Sequence, residues 1–139
     1  MKTAQQFFHQ LIMLYRPFEN GLNKELKKHQ LHRAEWTILF YLYNYGPSTS
    51  VNISQYLSVE KPTVTRTLNS LEKLNYVQRT VGKDRREKYM QLTETGIKAY
   101  EAARVSIDRF EEAILKGFSE EEQKQMIQMM QHIRNNIVQ

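Results

Sequence analysis

Hydrophobic residues recur at steps of three and four along most of the chain, which is the spacing of one face of an α-helix. The pattern predicts six helices, namely Thr3 to Leu26, Arg33 to Tyr45, Val51 to Leu57, Lys61 to Leu74, Thr93 to Lys116, and a last one after Ser119. Capping residues support these ends. We expect Ser50 to be the N-cap of the third helix, and Asn75 to end the fourth in left-handed geometry.

After Asn75 the pattern changes to the alternation of apolar and polar residues that is typical of β-strands. Val77 to Val81 and Lys88 to Leu92 are two such segments, with the polar residues 82–87 between them. Two short strands around a charged tip indicate a β-hairpin. We therefore predict a mainly α fold with a small β-hairpin wing, a winged helix-turn-helix, with N- and C-terminal dimerisation helices.

The first helix carries more apolar surface than one neighbouring helix would cover. Its apolar residues include Phe7, Phe8, Leu11, Ile12, Leu14, Tyr15, Phe18, Leu22 and Leu26. It is either an ordinary core helix or a helix that packs against a second chain, and Pro17 is expected to kink it or to mark its restart. The length of 139 residues indicates one domain. Within it, residues 1–30 and 97–139 are expected to form dimerisation helices, and residues 31–96 the winged-helix lobe.

The basic charge is concentrated in the middle of the sequence. The formal net charge is +5, and the segment from Lys61 to Lys88, with eight basic and three acidic residues, carries all of this excess. Such a distribution favours a polyanionic partner. The chain has no cysteine, which excludes disulfides and thiol-based redox sensing. No membrane span or signal peptide is recognisable, so we expect a cytoplasmic location.

The helix that begins at Lys61 has the composition of a DNA-reading helix. Its exposed face is expected to carry short hydroxyl and amide side chains and an arginine that can bind a guanine edge. The expected DNA contacts on this helix are Lys61, Pro62, Thr63, Thr65, Arg66 and Asn69. Ser50 and the free N–H groups at the start of the preceding helix are expected to hold a phosphate. The alternative is an ordinary polar surface.

The tip of the predicted hairpin is the second basic element. It consists of Lys83, Asp84, Arg85, Arg86, Glu87 and Lys88. Basic side chains are attracted into a narrow minor groove by its negative potential. Asp84, two residues from Arg86, is expected to orient that guanidinium rather than to face the DNA. A solvated run of charges is the alternative.

Several motifs in this region are similar to those of the multiple antibiotic resistance regulator (MarR) family. They are Trp36–Leu39, Ile53–Leu57, Lys61–Arg66, Leu71–Val77 and, most specifically, Asp84–Arg86 followed by Leu92–Gly96. The resemblance implies a triangular dimer with interleaved terminal helices. It implies base contacts from the positions of Pro62, Thr63, Thr65 and Arg66, and a minor-groove contact from Arg86 braced by Asp84. Asn75 replaces the usual glycine and Ser54 a common alanine. The absence of cysteine excludes the family's peroxide-sensing branch.

The resemblance also implies a small-molecule effector, since family members often bind aromatic or phenolic ligands between the dimer helices and the DNA-binding lobe. The residues expected to line such a site are Tyr15, Arg16, His32, Trp36, Phe40 and Tyr43. The alternative is that each is a core residue. Among the four histidines only His29 and His32 are close in sequence, and no acidic ligands surround them, so neither a metal nor another cofactor is predicted.

These observations favour a regulator over an enzyme. The sequence has no glycine-rich phosphate loop and no motif of a nucleophile with histidine or of a zinc protease. We predict a sequence-specific regulator of transcription, a repressor, that binds double-stranded DNA as a homodimer on a pseudo-palindromic operator and is released by a small aromatic ligand. The alternative is a winged helix that binds RNA or another protein.

Overall fold

The computed structural model of the chain describes residues 1–81 and 88–138. Its elements, in chain order, are α1 (Thr3–Lys27), α2 (Arg33–Tyr45), β1 (Ser48–Thr49), α3 (Ser50–Leu57), α4 (Lys61–Lys73), β2 (Val77–Val81), β3 (Lys88–Leu92), α5 (Glu94–Ile114) and α6 (Glu120–Ile137). The predicted mainly α winged-helix fold with a β-hairpin and the six predicted helices are confirmed. Helix α1 continues through Pro17, so it does not restart there. The expected turn at residues 82–87 lies outside the described residues.

The strands form one antiparallel sheet in the order β1-β3-β2. Val77 pairs with Leu92 at one end of the hairpin, and Val81 pairs with Lys88 at the other. Strand β1 was not predicted, because a two-residue strand has no periodicity and exists only through its pairing with β3. The expected N-cap at Ser50 is wrong by one residue. Thr49 is the N-cap, since its Oγ1 accepts a hydrogen bond from the Asn52 N–H at 3.1 Å, and Ser50 is the first residue of α3.

A single hydrophobic core joins the end of α1 to the lobe and to α5. Its most deeply buried side chains are Leu26, Leu39, Ile53, Val64, Leu71, Val77 and Ile107. Helical spacing predicts that Leu74 of the fourth helix and Ile114 of the fifth are buried, but they are 46% and 42% exposed. Leu74 follows the last residue of α4 and precedes Asn75, whose φ of 61° turns the chain away from the helix axis. Asn75 therefore has the predicted left-handed geometry, while the helix ends one residue earlier than predicted.

Thr93 fastens the start of α5 to the end of α4. Its Oγ1 accepts a hydrogen bond from the Gly96 N–H at 2.9 Å and donates one to the Asn75 carbonyl at 2.6 Å. The Thr93 N–H donates to the Tyr76 carbonyl at 3.0 Å. Gly96 lies so close to the backbone of Tyr76 that a Cβ at position 96 would be 2.0 Å from the Tyr76 carbonyl oxygen. The Thr-x-x-Gly motif is thus a junction between the lobe and the long helix.

The first half of α1 and all of α6 leave apolar side chains uncovered. Along α1, the residues from Phe7 to Tyr15 include an apolar group, here called the α1 stripe, that is 47 to 62% exposed: Phe7, Phe8, Leu11, Ile12, Met13, Leu14 and Tyr15. Helix α6 has no buried residue, and Met129, Met130 and Ile137 are exposed. It follows Ser119, as predicted from the sequence, and a capping box of Ser119 and Glu122 marks its start. Within the described residues no helix is both long and apolar enough to span a membrane.

Candidate nucleic-acid interface

The turn between α3 and α4 is held by a reciprocal pair of hydrogen bonds. The Ser54 hydroxyl donates to the Val59 carbonyl at 2.7 Å, and the Val59 N–H donates to the Ser54 carbonyl at 3.1 Å. Ser58 takes the left-handed conformation, with φ 54°, which reverses the chain between the helices. These contacts fix α4 relative to α3, so α4 is presented as the second helix of a helix-turn-helix.

Helix α4 divides into a buried face and a polar face. Val64, Leu68 and Leu71 are buried in the core. The predicted DNA contacts Lys61, Pro62, Thr65, Arg66 and Asn69 are all exposed, and Thr63 is half-buried. The helix therefore leaves polar side chains free on its outer surface, as the spacing predicted.

Arg66 is oriented along this polar face. Its Nη2 donates to the Thr63 Oγ1 at 3.4 Å. This contact with a neutral hydroxyl uses one of the five N–H donors of the guanidinium and leaves its charge uncompensated, so the other donors remain available for a pair of bonds to one base or phosphate. Thr63 thus positions Arg66 as well as carrying a hydroxyl of its own.

A groove of about 660 Å³ lies between α3, α4 and the hairpin. It brings together five of the predicted contacts, namely Ser50, Lys61, Thr65, Asn69 and Lys88. Pro62, Thr63 and Arg66 belong to the same helix but are not part of the groove lining. The groove is thus enclosed by the three elements that a winged helix presents to DNA.

Two charged residues of this groove were not among the predicted contacts, namely Glu72 of α4 and Arg79 of β2. The Arg79 Nε lies 3.7 Å from the Glu72 Oε2. A signal was present in the sequence, because Arg79 interrupts the apolar alternation of Val77 and Val81. In the sheet, Arg79 pairs with the buried Met90, so the two side chains lie on the same face of the sheet. Both residues also line the groove.

The wing tip is described only at its end. Lys88 is the first residue of β3 and is exposed. Lys83, Asp84, Arg85 and Arg86 lie outside the described residues, and so does the expected orientation of Arg86 by Asp84. Their contribution to the interface therefore stays a prediction.

Two of the expected effector residues pack onto α5. Trp36 stacks on Tyr100 with ring centroids 4.9 Å apart, and Tyr43 stacks on Tyr100 at 4.3 Å. The Tyr43 hydroxyl donates to the Glu101 Oε2 at 3.1 Å, and this bond, with the charge of the carboxylate, raises the pKa of Tyr43. The Arg104 guanidinium lies 5.4 Å from the centre of the Trp36 ring. Trp36 is buried, as the core alternative expected.

The other expected effector residues are spread over two helices. Tyr15 and Arg16 lie on the exposed half of α1, and Phe40 is partly exposed on α2. His32 directly precedes α2, and its backbone N–H donates a hydrogen bond to the Glu35 Oε1 at 2.8 Å. In the part of the chain that the structure describes, no group of three or more histidine or acidic residues is placed to hold a metal ion.

A helix-turn-helix followed by a β-hairpin, with a cationic groove between them, defines a winged-helix DNA-binding protein. Residues 29–87 match the sequence model of the MarR family. The chain is 38% identical over 120 residues to the HTH-type transcriptional regulator YwoH of Bacillus subtilis, an alignment that covers 86% of this chain and 88% of YwoH. The chain belongs to the MarR family, whose members are transcriptional regulators and not enzymes.

Solved structures of the family have the same fold. The Staphylococcus aureus MarR protein in complex with salicylate and kanamycin aligns with a TM-score of 0.85 and 27% identity, covering 97% of this chain and 92% of that one. The S. aureus MepR protein in complex with DNA aligns with a TM-score of 0.83 and 24% identity, covering 98% of this chain and 99% of that one.

Proposed function

We propose that this protein is a sequence-specific transcriptional repressor that binds a pseudo-palindromic operator as a homodimer. The observation that carries the proposal is the groove in which Ser50, Lys61, Thr65, Asn69 and Lys88 meet beside an exposed, polar α4. The fold is shared with S. aureus MepR, which was crystallised with DNA. We propose a cytoplasmic location, because a transcriptional regulator acts on the DNA of the cell.

In the proposed complex α4 enters the major groove, which is about 12 Å wide and admits one helix. Lys61, Pro62, Thr63, Thr65, Arg66 and Asn69 would then meet base edges and the adjoining phosphates. Ser50 and the first N–H groups of α3 would hold a backbone phosphate. The wing would carry Lys83, Arg85, Arg86 and Lys88 to the neighbouring minor groove, with Asp84 bracing Arg86.

The proposed dimer is supported by the uncovered apolar surfaces of α1 and α6. Seven large apolar side chains of the α1 stripe are about half exposed in the single chain, and α6 has no buried residue. Contiguous exposed apolar surface of this kind is typical of an interface rather than of a monomer surface. A second copy would cover it with residues 1–30 and 97–139. Two α4 helices would then reach successive major grooves, and a dimer seated there would block polymerase.

We further propose that a small aromatic or phenolic acid releases the repressor. Salicylate is bound in the related S. aureus structure. Here Tyr15, Arg16, His32, Trp36, Phe40 and Tyr43 supply aromatic surface and cationic or hydrogen-bonding groups. A ligand that prefers one spacing of the two lobes would shift the population away from the DNA-competent state.

The decisive experiment selects fragments of the host genome that the purified protein binds, followed by footprinting and by binding at increasing salt. We expect one or few inverted repeats with half-sites about one helical turn apart, and an affinity that falls steeply with salt. Equal binding to RNA, or salt-insensitive capture of a protein with no DNA selected, would favour the alternative binding module.

The effector proposal has its own test. In a thermal-shift assay, salicylate is expected to raise the Tm of the protein, and it is expected to weaken DNA binding. No change in either would remove the effector proposal.

A further inference from the structure

Arg79, a cationic residue of the hairpin, lines the groove but is not among the residues predicted to contact DNA. On the α4 side of the groove stand Lys61, Thr65, Asn69 and Glu72, at steps of four, four and three residues. This spacing places them along one face of the helix. The face expected to read DNA therefore ends in an acid.

An acid on that face requires compensation, because a carboxylate and a backbone phosphate repel each other. The Arg79 Nε lies 3.7 Å from the Glu72 Oε2 and supplies the opposite charge. The Arg79 side chain nevertheless remains 60% exposed, so the contact does not bury it. Among the described residues that line the groove, Lys61, Arg79 and Lys88 are cationic and Glu72 is acidic.

We propose that Arg79 binds a phosphate of the DNA backbone, with Glu72 holding its guanidinium beside the recognition helix. The guanidinium has five N–H donors in a rigid fork. Its Nε edge faces Glu72, so the terminal Nη groups can bind a phosphate. This inference rests on the proposed docking of α4 and adds to it a contact from strand β2.

The competing explanation is that the pair only ties α4 to β2. An ion pair as exposed as this one contributes little to stability. A structural tie therefore predicts no change in how DNA binding depends on salt when Arg79 is replaced. A phosphate contact predicts that change, since each neutralised phosphate releases counterions when the protein binds.

The test uses the full chain and a fluorescein-labelled duplex of mixed sequence, because a phosphate contact needs no operator. Anisotropy gives the Kd at a series of NaCl concentrations for wild type, Arg79→Ala and Arg79→Lys. The matched control is Lys98→Ala. Lys98 of α5 is an exposed cation that lies 3.5 Å from the Glu94 Oε1 and does not line the groove. Thermal unfolding of each variant reports whether the fold is intact.

For Arg79→Ala we expect a roughly tenfold higher Kd at low salt, because the variant loses one charge-assisted hydrogen bond to phosphate. The slope of log K against log[salt] is expected to fall by about 0.9 per protomer. Arg79→Lys keeps the wild-type slope, and Lys98→Ala changes neither quantity. The inference is overturned if Arg79→Ala has the slope of Lys98→Ala, whether or not its Tm is lower. A wild type with no salt-dependent duplex binding would instead refute the proposed function, and this inference with it.

Discussion

Replacing Thr93 by alanine removes both hydrogen bonds that its hydroxyl makes at the start of α5. One is accepted from the Gly96 N–H at 2.9 Å, and the other is donated to the Asn75 carbonyl at 2.6 Å. Loss of an N-cap costs about 0.5–2 kcal/mol. The second bond, between neutral groups, contributes about 0.5–1.5 kcal/mol. We therefore expect Thr93→Ala to lower the free energy of unfolding by about 1–3.5 kcal/mol.

Urea unfolding followed by circular dichroism measures this difference. All variants are compared at one protein concentration, because association links stability to concentration. Thr93→Ser is the matched control, since it keeps the hydroxyl and removes only a methyl group. The reasoning is refuted if Thr93→Ala lies within about 0.5 kcal/mol of wild type, the range of an ordinary surface substitution. It is equally refuted if Thr93→Ser loses as much stability as Thr93→Ala.

Three further predictions concern the interface, the dimer and α6. Arg66→Ala is expected to weaken operator binding by about 1–3 kcal/mol and to relax specificity at one base position, measured on single-base operator variants; equal losses on every sequence would assign Arg66 to phosphate. Leu11→Asp charges the α1 stripe and is expected to give monomers in sedimentation, whereas Asn20→Asp, nine positions later and half a turn round the helix, keeps the dimer. If Leu11→Asp stays dimeric, the stripe is not the interface. The Ser119 backbone N–H donates a hydrogen bond to the Glu122 carboxylate, and this bond lowers the pKa of Glu122. The ionised carboxylate therefore stabilises the fold fully at pH values above the pKa of an unfolded glutamate. This stabilisation is lost as the pH falls through the lowered pKa of the folded state. The Tm difference between Glu122→Gln and wild type should therefore be largest at neutral pH and shrink as the pH is lowered, and a difference that does not change with pH would contradict this assignment.

The helices were predictable because their determinants are local. Apolar spacing, the capping box at Ser119 and the left-handed residue Asn75 each act within a few positions along the chain. The errors at the ends were small for the same reason. Ser is the better N-cap by residue type, so residue type alone favours Ser50 over the adjacent Thr49. The pairing of Ser48 and Thr49 with β3 holds Thr49 in the extended conformation of an N-cap.

What the sequence did not predict depends on contacts between distant segments. Strand β1 exists because Ser48 pairs with Met90, more than forty residues away. The contact of Glu72 with Arg79 requires β2 to turn back beside α4, and Leu74 is exposed because the chain turns at Asn75. Residue periodicity carries no information about such placements, although three of the six residues that it put on the exposed face of α4, namely Lys61, Thr65 and Asn69, line the groove.

Under the proposed dimer, the α1 stripe would make DNA binding depend on the amount of protein. If two chains pair through this stripe, a tenfold dilution weakens pairing by about 1.4 kcal/mol through mass action. Where single chains are in the majority, the number of dimers rises with the square of the number of chains. Operator occupancy would then respond to expression level as a threshold rather than in proportion, before any effector is bound. Under that condition, doubling the number of chains would quadruple the number of proposed dimers.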